Sequence, residues 1–548
     1  MLCSFFLTVS LQSNAQNKQD TNTQDTNTRK KKNANGRKKK NADLTQYILT
    51  PPAPKTPRIN GAKVFGARPG SIFTYTIPAT GTRPMTFSAE GLPKGLRLDA
   101  STGKISGKVK KMGKYPVKLK ASNEFGSTER NFRIMIGDRI ALTPPMGWSS
   151  GNCRGNDVDQ EKVLDVAQAM IDKDLINHGW TYVNIGDSWQ SERGEKYNAI
   201  QSNDKFPDMK ELADQIHAMG LKIGIYSTPW TGSYSGHIGS YSDNEDGSYD
   251  WITEEQIDEH HRFTLGNPNK DCQLHYHHGK YSFVKNDVQQ WYDWGIDYLK
   301  YDWNPNDLYH VKEMYDALRA KDRDIVYSLS NSAPYGDAAL LVKFYNTLKT
   351  PGDIRDNWKS MSELGFKQTK WATFNGPGSW IDPDMLAVGN IGWREAPRPT
   401  KLTPDEQFTQ VSLWALLAAP LIIGCDMSQL DDFTLSLLTN DEVIDIDQDP
   451  WGYMAMPIIE KKGIAIYAKN LEDGSMAVGL FNKSNAIQEI GFTMKELGLR
   501  GKQTIRDLWR QQDLGKYDKD FKTSVNPHGV VLVKIYPGNS KGQATDGR

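Results

Sequence analysis

The 548-residue chain is poor in cysteine and has no long hydrophobic run. Its four cysteines, Cys3, Cys153, Cys272 and Cys425, are widely scattered and give neither a paired metal-binding spacing nor a disulfide framework. No stretch approaches the roughly 18 uninterrupted apolar residues of a membrane-spanning helix, so we predict no membrane span. The net charge is only +1, which predicts no general attraction to nucleic acid or to an acidic membrane.

The N-terminal region has the composition of an exported protein with a polar tether. Residues 1–16 carry a short apolar run followed by small and polar residues, which is typical of a secretory signal peptide, although a positively charged start is missing. We therefore predict a periplasmic or extracellular location. Residues 17–56 contain a repeated polar stretch and a lysine-rich run, which predict a disordered basic linker. Alternatively, the basic run contacts an anionic surface or a polysaccharide.

Three segments with different sequence patterns follow and predict a multidomain fold. Residues 57–138 show short alternating runs separated by turn residues, as in an antiparallel β-sandwich. Residues 139–452 alternate strands rich in Ile, Val and Tyr with helical patterns, and about eight such units predict a (β/α)8 barrel. Residues 453–540 return to short alternating strands, which predict a C-terminal antiparallel β-domain.

Charged side chains stand at the ends of several predicted barrel strands. GIDYLKYDWN (295–304) places a lysine and an aspartate at the end of a buried strand, and charged groups are costly to bury unless they are paired or used. Because the C-terminal strand ends of a barrel meet at one face, we expect these groups to lie together. The strand-end set is Asp187, Lys300, Asp302, Asp353, Asp382 and Asp384.

Aromatic residues accompany this set and favour a sugar site. Aromatic faces stack on the C–H surfaces of a sugar ring, while carboxylates and an ammonium group bind its hydroxyls. Two of the carboxylates then suffice for acid/base and nucleophilic chemistry. The aromatic candidates are Trp148, Trp189, Tyr226, Trp303 and Trp380. A single strand-end aspartate also occurs as a helix cap or turn residue, and Asp382 and Asp384 flank Pro383.

Six motifs resemble those of glycoside hydrolase family 27, the α-galactosidases and α-N-acetylgalactosaminidases. They are TPPMGW (143–148), YVNIGDSW (182–189), GLKIGIYS (220–227), DYLKYD (297–302), TPGDIRDNW (350–358) and WIDPDMLAVGN (380–390). They occur in family order. In addition, FSAEGLPKGLRLDASTGKISGKV resembles the immunoglobulin-like module often appended to bacterial polysaccharide enzymes, for which we expect a spacer or weak glycan-contact role.

The resemblance implies a retaining exo-glycosidase that removes terminal α-galactoside-type residues from oligo- or polysaccharides. It implies Asp302 as the nucleophile and Asp353 as the general acid/base. The residues expected to contact substrate are Asp187, Lys300, Tyr226, Trp148, Ser330, Ala333, Lys349, Asp384 and Trp303. The family needs no cofactor and no metal. HYHH (275–278) lies in a polar loop without a partner cluster, so we predict no metal site there.

Four positions depart from the family pattern. Gly186 replaces the first of a paired Asp-Asp, the carboxylate expected to hold the C6 hydroxyl of galactose. Gly151 replaces a pocket tryptophan, Lys349 replaces an arginine, and Ile381 replaces an amide. These changes favour a galactose variant at C6, such as a uronate or a β-L-arabinopyranoside. An ordinary α-galactosidase and a non-catalytic glycan-binding protein are the alternatives. The small Ser330 and Ala333 resemble the N-acetylgalactosaminidase choice, which leaves room at C2.

Overall fold

The computed structural model describes residues 43–249, 276–393 and 396–537. The predicted signal peptide, 1–16, lies outside the described residues, as do linker residues 17–42 and His275 of the HYHH stretch. Within the described ranges, no helix is long and apolar enough to cross a membrane.

The N-terminal domain is an immunoglobulin-like sandwich of short strands. Its two sheets have the orders β2-β9-β8-β5 and β3-β7-β6, and β1 pairs with β4. Alternation along β8 turns Val117, Leu119 and Ala121 into a shared apolar core. The strands are β1 (Arg58–Ile59), β2 (Val64–Ala67), β3 (Ile72–Thr76), β4 (Ala79–Thr80), β5 (Thr86–Glu90), β6 (Leu96–Leu98), β7 (Lys104–Lys108), β8 (Gly113–Asn123) and β9 (Gly126–Ile136).

One arginine fixes this domain to the N-terminal end of the barrel. Arg68 follows β2, is only 9% exposed, and pairs with Asp324 at 2.6 Å between Nε and Oδ1. Its remaining guanidinium N–H groups donate to the carbonyls of Arg319, Lys321 and Arg323. Separating the two domains would leave this buried guanidinium and its partners without hydrogen bonds, so Arg68 helps to hold the domains together.

The middle of the chain forms the barrel. Its strands and short hairpins are β10 (Met146–Ser149), β11 (Tyr182–Asn184), β12 (Gln190–Gly194), β13 (Ala199–Ser202), β14 (Lys222–Ser227), β15 (Tyr241–Ser242), β16 (Tyr281–Ser282), β17 (Tyr298–Asp302), β18 (Val326–Ser330), β19 (Thr347–Lys349), β20 (Trp380–Asp382), β21 (Asn390–Ile391), β22 (Arg398–Pro399) and β23 (Leu421–Ile423). Eight of them form one parallel sheet in the order β20-β19-β18-β17-β14-β11-β10-β23. A bridge between Leu386, just after β20, and Ile423 closes the ring.

Helices follow most of the barrel strands. They are α1 (Gln160–Asp172), α2 (Met209–Ala218), α3 (Val284–Trp294), α4 (Leu308–Arg319), α5 (Ala338–Leu341), α6 (Trp358–Phe366), α7 (Pro404–Leu417), α8 (Asp432–Leu438) and α9 (Asp441–Asp447). Short polar residues begin them: Asp159, Asp208 and Asp307 each accept a backbone N–H at the start of a helix, and Thr403 forms a capping box with Glu406. The helix starts are therefore set locally by the sequence.

The C-terminal domain is an antiparallel sandwich. A six-stranded sheet of order β24-β25-β26-β31-β28-β29 faces the pair β27-β30 around an apolar core. The strands are β24 (Met456–Lys461), β25 (Ile464–Asn470), β26 (Met476–Asn482), β27 (Gln488–Thr493), β28 (Gln503–Asp507), β29 (Gln512–Tyr517), β30 (Asp520–Val525) and β31 (Val530–Tyr536). The predicted fold class, with a sandwich on each side of a parallel barrel, is confirmed.

The predicted disordered linker, 17–56, is too long at its C-terminal end. Leu44, Ile48 and Leu49 pack against the barrel core, and the Thr50 hydroxyl donates to the Ser436 carbonyl at 2.9 Å. A short 3₁₀ helix, Thr45–Tyr47, lies between them. The apolar side chains of this stretch supply the buried area that the lysine-rich residues before it lack.

Candidate active site

The C-terminal strand ends bring the predicted charged residues to one face of the barrel. Asp302 is the last residue of β17 and lies opposite Ser330, the last residue of β18. Lys300 lies two residues earlier, on the same side of the strand, opposite Tyr226 of β14. Lys349 ends β19. Parallel register therefore places residues that are distant in sequence around one cavity mouth.

Lys349 is the centre of the charge network. Its ammonium bonds the Asp353 carboxylate and lies 3.3 Å from Asp384 Oδ2, and its side chain is 5% exposed. Burial disfavours the charged lysine, but Asp384, Asp353 and Asp302 outweigh burial and raise the pKa of Lys349. One buried cation therefore serves three carboxylates.

The two candidate catalytic carboxyls have opposite electrostatic surroundings. Burial raises the pKa of Asp302, although Lys300 and Lys349 offset part of that effect. Lys300 Nζ lies 3.7 Å from Asp302 Oδ2, whereas Asp302 Oδ1 is buried and has no hydrogen bond of ordinary geometry within the described part of the chain. The charge of Lys349 lowers the pKa of Asp353 to about 2. The free site thus holds one carboxyl that resists ionisation and one that is ionised by its lysine.

Asp384 is fixed from several directions. It adopts φ 89°, a conformation that residues other than glycine rarely take. Its Oδ2 accepts the N–H of Ile354 and its Oδ1 that of Met385, both at 2.8 Å. Its own N–H donates to Asp382 Oδ1 at 2.8 Å, and burial together with Asp384 raises the pKa of Asp382 to about 6. The Asp-Pro-Asp turn therefore belongs to the site as well as shaping the chain.

Asp187 lies three residues beyond β11 and is held by the loop after β14. Its Oδ1 accepts the Ser233 hydroxyl at 2.8 Å and its Oδ2 accepts the Ser235 N–H at 2.8 Å. The pKa of Tyr226 is raised by burial first, then by the charge of Asp302, and then by the charge of Asp187. Asp187 therefore belongs to the same site as Tyr226 and Asp302. Sequence reasoning missed the two serines, which lie in TPWTGSYSG directly after a barrel strand.

Tyr234 in the same loop is a further residue that the sequence analysis missed. Burial and then Asp302 raise the pKa of Tyr234, and the charges of Asp353 and Lys349 also act on it, so its hydroxyl belongs to the same charged surroundings as the two candidate catalytic carboxyls. It packs edge-on against Trp230 with the ring centroids 5.3 Å apart. A position shortly after a strand end was the signal available in the sequence.

The remaining predicted contacts lie in the walls. Trp148 and Trp303 are fully buried, and their indole N–H groups donate to the Cys425 carbonyl at 2.8 Å and to Asp307 Oδ2 at 3.2 Å. Ala333 and Ser330 are also buried, and the Ser330 hydroxyl has no hydrogen-bond partner among the residues that the structure describes. Their contact with a sugar stays a prediction.

The two glycine departures differ in the space they leave. A Cβ on Gly186 would lie 3.1 Å from Ser150 Oγ, which accepts the Gly186 N–H at 2.9 Å. A Cβ on Gly151 would meet only Met385 Cε, at 3.7 Å. Ser150 thus partly fills the space that a side chain at position 186 would occupy. The space that a side chain at position 151 would occupy is open among the described residues.

Three protein-family models match this chain. The family model for alpha galactosidase A matches residues 143–256 and 267–449, its C-terminal beta sandwich model matches 461–535, and an Ig domain model matches 56–137. A probable alpha-galactosidase of Dictyostelium discoideum is 32% identical over 417 residues, covering 74% of this chain and 95% of the relative. The chain belongs to the alpha-galactosidase family, glycoside hydrolase family 27.

Solved structures of this family show the same architecture, and the chain is a glycoside hydrolase. A Bacteroides fragilis structure that carries an alpha-galactosidase/melibiase name superposes with a TM-score of 0.76 at 30% identity, covering 90% of this chain and 100% of that one. A family 27 β-L-arabinopyranosidase from Geobacillus stearothermophilus superposes with a TM-score of 0.61 at 28% identity, covering 73% and 98%. The first match spans all three domains of this chain.

The Lys349 network predicts how activity depends on pH. In Lys349→Met the positive charge is lost, so the protonated forms of Asp353 and Asp302 are favoured and both pKa values rise. We expect both limbs of the kcat/KM profile to move to higher pH, by more than about one pH unit. Lys349→Arg keeps the charge and serves as the control, with a profile close to wild type. A Met variant with the wild-type profile would show that Lys349 does not set these ionisations.

Proposed function

We propose that the protein is a retaining exo-glycosidase that hydrolyses terminal α-galactoside-type residues by double displacement. The observation that supports this most directly is the pair of carboxyls at one barrel face, Asp302 beside Lys300 and Asp353 bound to Lys349. A non-catalytic glycan-binding site would need neither the buried nucleophile nor a second carboxyl tied to a lysine. Retention requires carboxyl groups about 5–5.5 Å apart, so that one attacks the sugar directly.

In the first step, Asp302 forms a bond to the anomeric carbon as the bond to the leaving oxygen breaks. Asp353 gives its proton to that oxygen. In the second step, Asp353 takes a proton from water, the water oxygen attacks the anomeric carbon, and Asp302 departs as a carboxylate. Lys300, at 3.7 Å, helps keep Asp302 ionised for the attack.

The ion pair between Lys349 and Asp353 must weaken before the first step. With its pKa near 2, Asp353 holds no proton at neutral pH in the free site. A sugar hydroxyl that accepts a hydrogen bond from Lys349 would draw the ammonium away, and the pKa of Asp353 would rise toward the range of a working acid. Substrate binding and acid strength are thereby coupled through one lysine.

We further propose that the preferred sugar differs from galactose at C6. Support comes from Gly186 and Gly151, which replace two larger side chains of the family pattern. Among the described residues, the place beside Gly151 is open next to Met385, whereas Ser150 partly fills the place beside Gly186. A β-L-arabinopyranoside has the shape of galactose without C6 and needs no contact there. The structural similarity to a protein named a β-L-arabinopyranosidase favours this candidate over a uronate. Ordinary α-galactosidase activity is the simpler alternative.

The first test is aryl-glycoside hydrolysis with wild type and Asp302→Asn. The panel contains the α-galactoside, the N-acetyl-α-galactosaminide, the β-L-arabinopyranoside and the α-galacturonide. We expect turnover of at least one member and a fall in kcat of at least ~10³-fold in Asp302→Asn, because the amide cannot form the glycosyl ester.

Asp316→Asn is the matched control for that test, since Asp316 is an exposed surface aspartate on α4 that pairs with Lys312. It should keep wild-type rates. Near wild-type activity of Asp302→Asn would refute the nucleophile assignment. If wild type bound panel sugars without turnover, the protein would be a glycan-binding protein rather than an enzyme on this class.

The second test restores the missing carboxylate. Gly186→Asp should raise the preference for the α-galactoside over the β-L-arabinopyranoside at least ~10-fold, because a carboxylate at this position can accept a hydrogen bond from the C6 hydroxyl of galactose. The ratio of kcat/KM values measures the preference. Gly186→Ala brings the same Cβ toward Ser150 without a carboxylate and is the control. Equal preferences in the Asp and Ala variants would show that Gly186 does not face C6.

A further inference from the structure

We propose that His278, Asp307 and His310 form a binding site for one divalent transition-metal ion of the Zn²⁺ class. The three side chains come from the loop before β16 and from the start of α4. One potential ligand atom from each lies within 4.8 Å of the other two. The HYHH stretch lacked a partner cluster in the sequence, and the fold supplies one.

Asp307 is already oriented as a ligand. It caps α4, where its Oδ1 accepts the His310 N–H at 3.1 Å, and its Oδ2 accepts the Trp303 indole N–H at 3.2 Å. Among the described residues its ion-pair partners are the two histidines, with no lysine or arginine within 4.0 Å. With neutral imidazoles the cluster carries a full negative charge, which favours a cation.

His278 presents a lone pair to that carboxylate. Its Nδ1 lies 3.3 Å from the Pro229 carbonyl, which can only accept, so Nδ1 carries the proton of the neutral ring. Its Nε2 is therefore unprotonated and lies 3.7 Å from Asp307 Oδ2. Two electron-rich atoms face each other, and an ion between them would satisfy both. A histidine that binds a metal through one ring nitrogen commonly donates the N–H of its other ring nitrogen to a backbone carbonyl, as His278 does here.

The spacing of the donors fits such an ion. Metal–ligand bonds of about 2.0–2.1 Å at tetrahedral angles put neighbouring ligand atoms roughly 3.4 Å apart. Here Asp307 Oδ2 lies 2.8 Å from His310 Nδ1 and 3.7 Å from His278 Nε2, on either side of that value. Two imidazoles and one carboxylate are ligands that suit zinc and its neighbours better than magnesium or calcium.

Two local changes accompany binding. The imidazoles of His278 and His310 stack with their centroids 3.5 Å apart and their planes 8° apart, so the two rings are nearly parallel. One ring must tilt for both nitrogens to point at a single ion. His310 donates from Nδ1 to Asp307 in the stacked form, and its proton moves to Nε2 when Nδ1 becomes a ligand.

The test uses full-length protein without a histidine tag, stripped of metal with EDTA and titrated with ZnCl₂ by calorimetry. We expect one equivalent of zinc to bind wild type. His278→Ala and His310→Ala should each weaken that binding at least ~10-fold, since mutating even a residue that only hydrogen-bonds to a metal ligand lowers metal affinity by about this factor. His277→Ala is the matched control, because His277 is exposed and pairs with Asp243 outside the cluster.

Thermal melting provides a second readout. Zinc at 100 times the wild-type dissociation constant should stabilise wild type and His277→Ala by RT ln(1 + [L]/Kd). It should stabilise each of the two ligand variants by no more than about half as much, because their binding is at least ~10-fold weaker. Metal-free ligand variants that melt with wild type show that the fold is intact. Absence of one-to-one zinc binding in wild type would overturn the proposal. So would binding that survives unchanged in both His278→Ala and His310→Ala.

Discussion

The site depends on one buried ammonium group shared by several carboxylates. Lys349 contacts Asp353 and Asp384, and its charge reaches Asp302. Without it, three acidic groups would lie close together in a desolvated cavity, and mutual repulsion would protonate them or push them apart. The same ion sets the low pKa of Asp353 and limits the rise in the pKa of Asp302. The lysine therefore holds the cavity together and tunes its acids.

The fold makes this arrangement possible by fixing where strands end. Asp302 and Lys349 are the last residues of β17 and β19, and Lys300 lies two residues before the end of β17. Because β18 pairs in parallel with both strands, their register brings the three residues to one end of the barrel. The strained Asp384 accepts the N–H groups of Ile354 and Met385 and donates its own N–H to Asp382. At the opposite end of the barrel, Arg68 locks the immunoglobulin-like domain to the loop before β18. Rigid ends of this kind suit a site that must keep charges in fixed positions.

Much of this was predictable from the sequence because the strongest signals are local. A charged residue that ends an apolar run marks the end of a barrel strand, and this pattern predicts Asp302 and Lys300 as site residues. Ser233 and Tyr234 lie in a loop whose path depends on long-range packing, and no periodicity marks them. Residues 44–50 were assigned to the linker because the neighbouring lysines dominate the local composition. The cluster of His278, Asp307 and His310 exists only once α4 meets the loop before β16.

The central claim is that Asp302 attacks the anomeric carbon of the sugar directly, while Asp353 transfers the proton and Lys349 sets the pKa of Asp353. The anomeric configuration of the first product tests this claim. It is measured by proton NMR during hydrolysis of a panel glycoside that the enzyme turns over, before the released sugar mutarotates. The account predicts that the released sugar first appears with the same anomeric configuration as the substrate, because two displacements at one carbon restore it. A first product of inverted configuration would mean that water attacks the sugar directly, and the nucleophile assignment would be wrong.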